Sequence, residues 1–146
     1  MSEVKRFARR FLRLAISAAT ATAIAYAGTV RADEITVTLS GSQEIPPVAT
    51  SATGTGSLTV APDKSITGKV TVTGMAPTVA HIHEGALGAN GPIIVPLTKV
   101  SEGVWAVPAG VKLTDAQFES YRSGKLYFNI HSEAHRSGEI RGQIKP

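Results

Sequence analysis

Cysteine is absent from the 146 residues, aromatic side chains make up only 5%, and histidine occurs four times. Without cysteine there is no disulfide, no thiol nucleophile and no thiolate ligand for a metal. So few aromatics, with one tryptophan among them, exclude a stacking platform for single-stranded nucleic acid. Methionine occurs twice, and Met75 alone lies beyond the N-terminal segment, which excludes a methionine-rich copper(I) site. There is one long apolar run, Leu14 to Ala27, and it is too short to span a bilayer comfortably.

That run follows a basic head of Lys5, Arg6, Arg9, Arg10 and Arg13 and leads to small residues before "TVRADE". A basic head, an apolar stretch and a Val-x-Ala site form the pattern of a secretory signal peptide, cleaved after Ala32. The alternative is an uncleaved N-terminal anchor. Six of the fifteen Lys and Arg lie at or before Arg31, and one of the eleven acidic residues is Glu3, so nine cations and ten anions remain beyond the leader. The formal charge of +4 and the basic pI therefore belong to the export segment, and nucleic-acid binding has no electrostatic support. An exported chain is expected in the periplasm or beyond it, with no stable membrane span after processing. Residues 33–146 suit one domain with a modest core.

Period-two alternation dominates that domain. "ITVTLS", "SLTV" and "KVTVTG" alternate β-branched or leucine residues with Thr, Ser and Lys, which is the pattern of half-buried strands. "APDKS" between Val60 and Ile66 is a turn and makes a hairpin of its neighbours. Further strands are expected at Val79–His83, Ile93–Leu97, Val104–Val107, Lys125–His131 and Glu139–Ile144. Only "LTDAQFESYRSG" departs: Thr114 and Gln117 fit a capping box, Phe118 and Tyr121 share a helical face, and Gly124 stops the helix. The expected fold is all-β, an antiparallel Greek-key sandwich or barrel of about eight strands with one short helix. "GSQEIPPVATSATGTG" is a long loop whose prolines bar it from a central strand. In "EGALGANGP", Asn90-Gly91 favours positive φ and lets the loop fold back over the preceding strand.

The four histidines fall in "VAHIHEGALGANGPIIVPL" and "YFNIHSEAHRSGEIRGQI". On a strand His81 and His83 project together, opposite Ala80 and Ile82. In the later strand Tyr127, Asn129 and His131 lie opposite the apolar Leu126, Phe128 and Ile130, and in the last strand Glu139, Arg141, Gln143 and Lys145 lie opposite Ile140 and Ile144. If these strands share a sheet, its non-core face is either a polar solvent surface or a site. Three imidazoles with an open position suit copper or zinc, and His135, on the "SEAHRSG" turn, is a candidate fourth ligand or orienting donor. The alternative is a polar network in which the histidines merely hold the two loops. Glu84 is as well placed to orient a histidine or a loop amide as to bind metal. No nucleophile elbow or phosphate-binding loop occurs.

"LSGSQEIPPVATSATGTGSLTV", "AHIHEGALGANGPIIVPL" and "LYFNIHSEAHRSGEIRGQI" resemble, in order, the three blocks of the chordin-type domain, CHRD, over Ile35 to Ile144. The resemblance implies a module of secreted proteins, found as repeats in an extracellular antagonist and as single domains in exported bacterial proteins, and it implies no particular activity. Within it, "HIHE" followed by a glycine-rich loop is similar to the copper-binding segment of copper-zinc superoxide dismutases. That similarity implies His81 and His83 as paired copper ligands and His131 as the ligand from the later strand. The cysteine pair and the zinc-site residues of the dismutases have no counterpart here, which puts dismutase activity in doubt.

The expected function is thus an exported β domain that binds a metal ion, copper with zinc as the alternative, through His81, His83 and His131, with His135 nearby. A metal-free module that binds a partner protein or glycan is the second reading. A redox enzyme of dismutase type is the third.

Overall fold

The computed structural model describes residues 32–146; the leader expected over residues 1–32 lies, apart from Ala32, outside the described residues. Nine strands follow in chain order: β1 (Glu34–Ser40), β2 (Thr53–Val60), β3 (Ile66–Thr73), β4 (Pro77–Glu84), β5 (Ile93–Pro96), β6 (Thr98–Ser101), β7 (Val104–Ala106), β8 (Leu126–Ser132) and β9 (Ile140–Ile144). The single α-helix, α1, spans Asp115–Arg122, and a 3-10 turn covers Gly41–Gln43. Among the described residues no helix is long and apolar enough to cross a membrane.

All pairings are antiparallel, in the order β5-β4-β8-β9-β1-β2-β3-β7-β6. The two outermost strands, β5 and β6, are consecutive in the chain and separated by Leu97 alone. The sheet must therefore curl until its two ends approach, which gives a nearly closed barrel and leaves little open edge. Alternate residues fill its interior: Leu39, Leu58, Val70, Ile82, Phe128, Ile130, Ile140 and Ile144 have no exposed surface. The β2–β3 hairpin turns through "APDKS" as the proline and aspartate require, with Val60 opposite Ile66 and Lys64 at positive φ.

The capping box of α1 is present in both directions: Gln117 N donates to Thr114 Oγ1 at 3.2 Å and Thr114 N to Gln117 Oε1 at 2.9 Å. Phe118 and Tyr121 stack at 6.1 Å and lie against the core, and Gly124 ends the segment at φ 67°.

Two features depart from the expected pattern. The ninth strand, β6, carries no alternation because all four of its residues are exposed; it pairs with β7 alone, so no buried face shapes its composition. The outward face of β8 and β9 is not a solvent surface. Every residue of both strands is buried, since the loops at 41–52 and 85–92 lie over that face and supply the hydrogen bonds that its polar side chains need.

Candidate metal centre

Strand register decides which histidines meet. Antiparallel pairing of β4 with β8 sets Val79 opposite His131, His81 opposite Asn129 and His83 opposite Tyr127. His81 and His83 stand two residues apart on one face, and His131 is the diagonal neighbour of His81 across the strand boundary, within side-chain reach. The ring centroids lie 5.0 Å apart for His81 and His131, 5.5 Å for His81 and His83, and 6.3 Å for His83 and His131. One nitrogen from each ring lies within 4.8 Å of the others, and no second group of three His, Cys, Asp or Glu with this spacing occurs among the described residues.

Backbone carbonyls orient two of the rings. His83 Nδ1 is 2.9 Å from Gly91 O and His131 Nδ1 is 2.8 Å from Arg136 O. A carbonyl only accepts, so each Nδ1 carries the proton and each Nε2 keeps its lone pair, as metal-binding imidazoles are usually held. His131 Nε2 accepts from His81 Nδ1 at 3.2 Å. His83 Nε2 is buried and has no partner. A lone pair left dry in this way is costly, and coordination would satisfy it.

The electrostatics keep protons away. Burial, and then the proximity of His131 and His83, lowers the His81 pKa to about 4. Burial is also the main cause that lowers His83, with Arg141 and His131 adding to it against the Gly91 hydrogen bond. Neutral imidazoles are the form that binds metal.

Behind His83 stands a stack that the separate motifs did not reveal. The ring of Tyr127 lies parallel to that of His83 at 4.9 Å, and the Arg141 guanidinium lies 3.5 Å from the centre of the Tyr127 ring. Arg141 is 1% exposed. It donates to Ala86 O at 3.2 Å, Ala89 O at 3.0 Å, Asn90 Oδ1 at 3.4 Å and Gln143 Oε1 at 2.9 Å. It thereby fastens the 85–92 loop, which Gly91 N also ties to Tyr127 Oη at 3.1 Å. Tyr127 and Arg141 lie on the expected face, and their parity is the signal that points to them. Glu44 has no such signal, because it lies in a loop. It is buried against Asn129, which donates to its carboxylate, and burial pushes its pKa up to about 7 against the opposing effects of Asn129 and Arg141.

Glu84 faces away from the histidines, on the side of Ile82, and accepts from Ser120 Oγ of α1 at 2.5 Å. His135 is not among the gathered histidines; it closes the turn after β8, where its backbone exchanges hydrogen bonds with Ser132. In the 85–92 loop positive φ falls at Gly88, φ 81°, and not at Asn90-Gly91. Glycine is needed at 91 for space: a Cβ there would stand 1.6 Å from Glu84 O.

The model of the CHRD domain matches residues 35–144, which covers β1 through β9 and all three gathered histidines. No curated protein and no solved structure matches the chain.

Proposed function

This chain belongs to the CHRD family, a β domain of the extracytoplasmic type, and we propose that it acts after export by holding one copper ion through His81, His83 and His131. The observation that carries this reading is the buried, unpartnered Nε2 of His83 beside two further imidazoles. A buried lone pair without a partner is costly to a purely structural network, and coordination removes that cost. Three imidazoles suit copper and zinc alike; copper is favoured because the His-x-His segment is similar to that of the copper-binding dismutases and because copper(II) outranks zinc(II) in affinity at a given nitrogen site.

When bound, copper would supply a one-electron couple. The chain itself holds His83 and His131 in the ligating tautomer through Gly91 O and Arg136 O and keeps His81 unprotonated well below neutral pH. It also shields His83 behind Tyr127.

Titration of the mature protein with copper(II), with copper(I) under anaerobic conditions, and with zinc(II), followed by elemental analysis, tests the reading. One copper per chain, bound more tightly than zinc and weakened at least tenfold in His81→Ala, is expected. Absence of binding, or an unchanged affinity in His81→Ala, favours the metal-free module that binds protein or glycan. A superoxide assay on the loaded protein decides whether any dismutase activity accompanies the site.

A further inference from the structure

The charge around the cluster bears on which copper ion it takes, an inference that rests on the copper reading above. All three donors are imidazoles, and no carboxylate or thiolate belongs to their group. Two buried carboxylates lie on the same face and are engaged elsewhere: Glu139 accepts from Thr50 and Glu44 from Asn129. Glu84, the acid nearest in sequence, turns to the opposite face and bonds Ser120. The Tyr127 hydroxyl already accepts from Gly91 N. The donor group itself therefore holds no anion to offset a divalent ion and no fourth ligand for the tetragonal arrangement that copper(II) prefers.

The buried charge that stacks toward the imidazoles is positive. The Arg141 guanidinium stacks on Tyr127, which stacks on His83; it is 1% exposed, so solvent screens it little. Its hydrogen-bond partners include two backbone carbonyls and the amide oxygen of Gln143, none of which cancels its charge. Glu44 shares a cleft with Arg141 and, when ionised, offsets part of its charge, but its carboxylate bonds Asn129 and not an imidazole.

We infer that the three-histidine site is built for the monovalent ion, holding copper(I) in preference to copper(II), and that Arg141 is the residue that sets this preference through Tyr127. A cation at this distance repels a divalent ion by one charge more than a monovalent one, and that difference enters directly into the ratio of the two affinities. The domain would then carry or receive cuprous copper.

The test is the pair of affinities of the mature protein, with copper(I) measured against a chromophoric cuprous chelator and copper(II) against a competing amino acid. The wild-type protein is expected to bind copper(I) at least about tenfold more tightly, which places the bound couple about 59 mV or more above that of the aqueous ions. Arg141→Met should lower the copper(I)/copper(II) ratio about tenfold, and Arg141→Lys, which keeps the charge, should lower it less.

Arg141 also fastens a loop, so Glu44→Gln supplies a second variant. At pH 8, where the Glu44 carboxyl is ionised, its removal should move the ratio further toward copper(I). A wild-type protein that binds copper(II) as tightly or more tightly overturns the preference. A ratio unchanged in both Arg141→Met and Glu44→Gln overturns the role of Arg141. Binding of neither ion would instead overturn the copper reading itself.

Discussion

The Nδ1 of His81 stands 3.2 Å from the Nε2 of His131, and one proton lies between them. The pair is held from both strands: β4 fixes the direction of His81 through Ile82 and Ala80 in the core, and β8 fixes His131 through Ile130. Both rings are therefore held side by side on one face before any ion arrives, which reduces the ordering cost of binding, and the hydrogen bond between them gives way when His131 Nε2 turns its lone pair to an ion.

From this relationship His131→Ala should weaken copper binding by at least about tenfold. His135→Ala should change it by less than about threefold, since His135 lies outside the cluster and its backbone alone serves the turn. Isothermal titration of the two variants decides. An equal or larger loss at His135 would mean that the turn closes over the ion.

Taken by itself, protonation of His81 destabilises the metal-free protein in acid. Its folded pKa of about 4 lies below the ordinary 6.5, so between these values the unfolded chain binds more protons and stability falls as pH falls. The group is partly exposed, and about 1–2 kcal/mol between pH 7 and pH 5 is a fair expectation after allowance for screening.

Glu44 acts in the opposite direction. Its folded pKa, pushed up to about 7 from 4.5 by burial, means that the folded state binds more protons between those values, so stability is greatest below pH 4.5 and is lost as pH rises through 7. The two slopes oppose one another, and the wild-type profile from pH 5 to pH 7 should be nearly flat. Urea denaturation should find Glu44→Gln more stable than wild type at pH 8 by roughly 2–3 kcal/mol, with the acid slope of His81 then unmasked. A variant no more stable than wild type at pH 8 would show that Glu44 is solvated.

Gly91 and Gly88 should separate space from backbone freedom. Gly91→Ala places a Cβ 1.6 Å from Glu84 O. The loop must move, and the bonds to His83 and Tyr127 go with it. A loss of about 3 kcal/mol in stability and a clear loss of copper affinity are expected. At Gly88 nothing stands within 4 Å of an added Cβ. Gly88→Ala should cost about 1 kcal/mol for its positive φ and leave copper affinity unchanged. Thermal unfolding and titration of the pair check both.

What the sequence alone determined was local. Strand alternation is a property of the extended backbone, so the parity of His81 with His83, and of Tyr127 with His131, is legible in the order of residues, as are the hairpin at "APDKS" and the capping box at Thr114 and Gln117. Tertiary structure decided what depends on neighbours distant in the chain. Pairing of β4 with β8 brought His131 to His81 and left His135 aside, and the nearly closed barrel drew in β6, whose exposed residues carry no pattern. The 41–52 and 85–92 loops turned an outward polar face into a buried one, so that Arg141 and Glu44 became buried ionisable groups. Burial of an ionisable group depends on what lies over it, and in this fold the covering segments come from other parts of the chain.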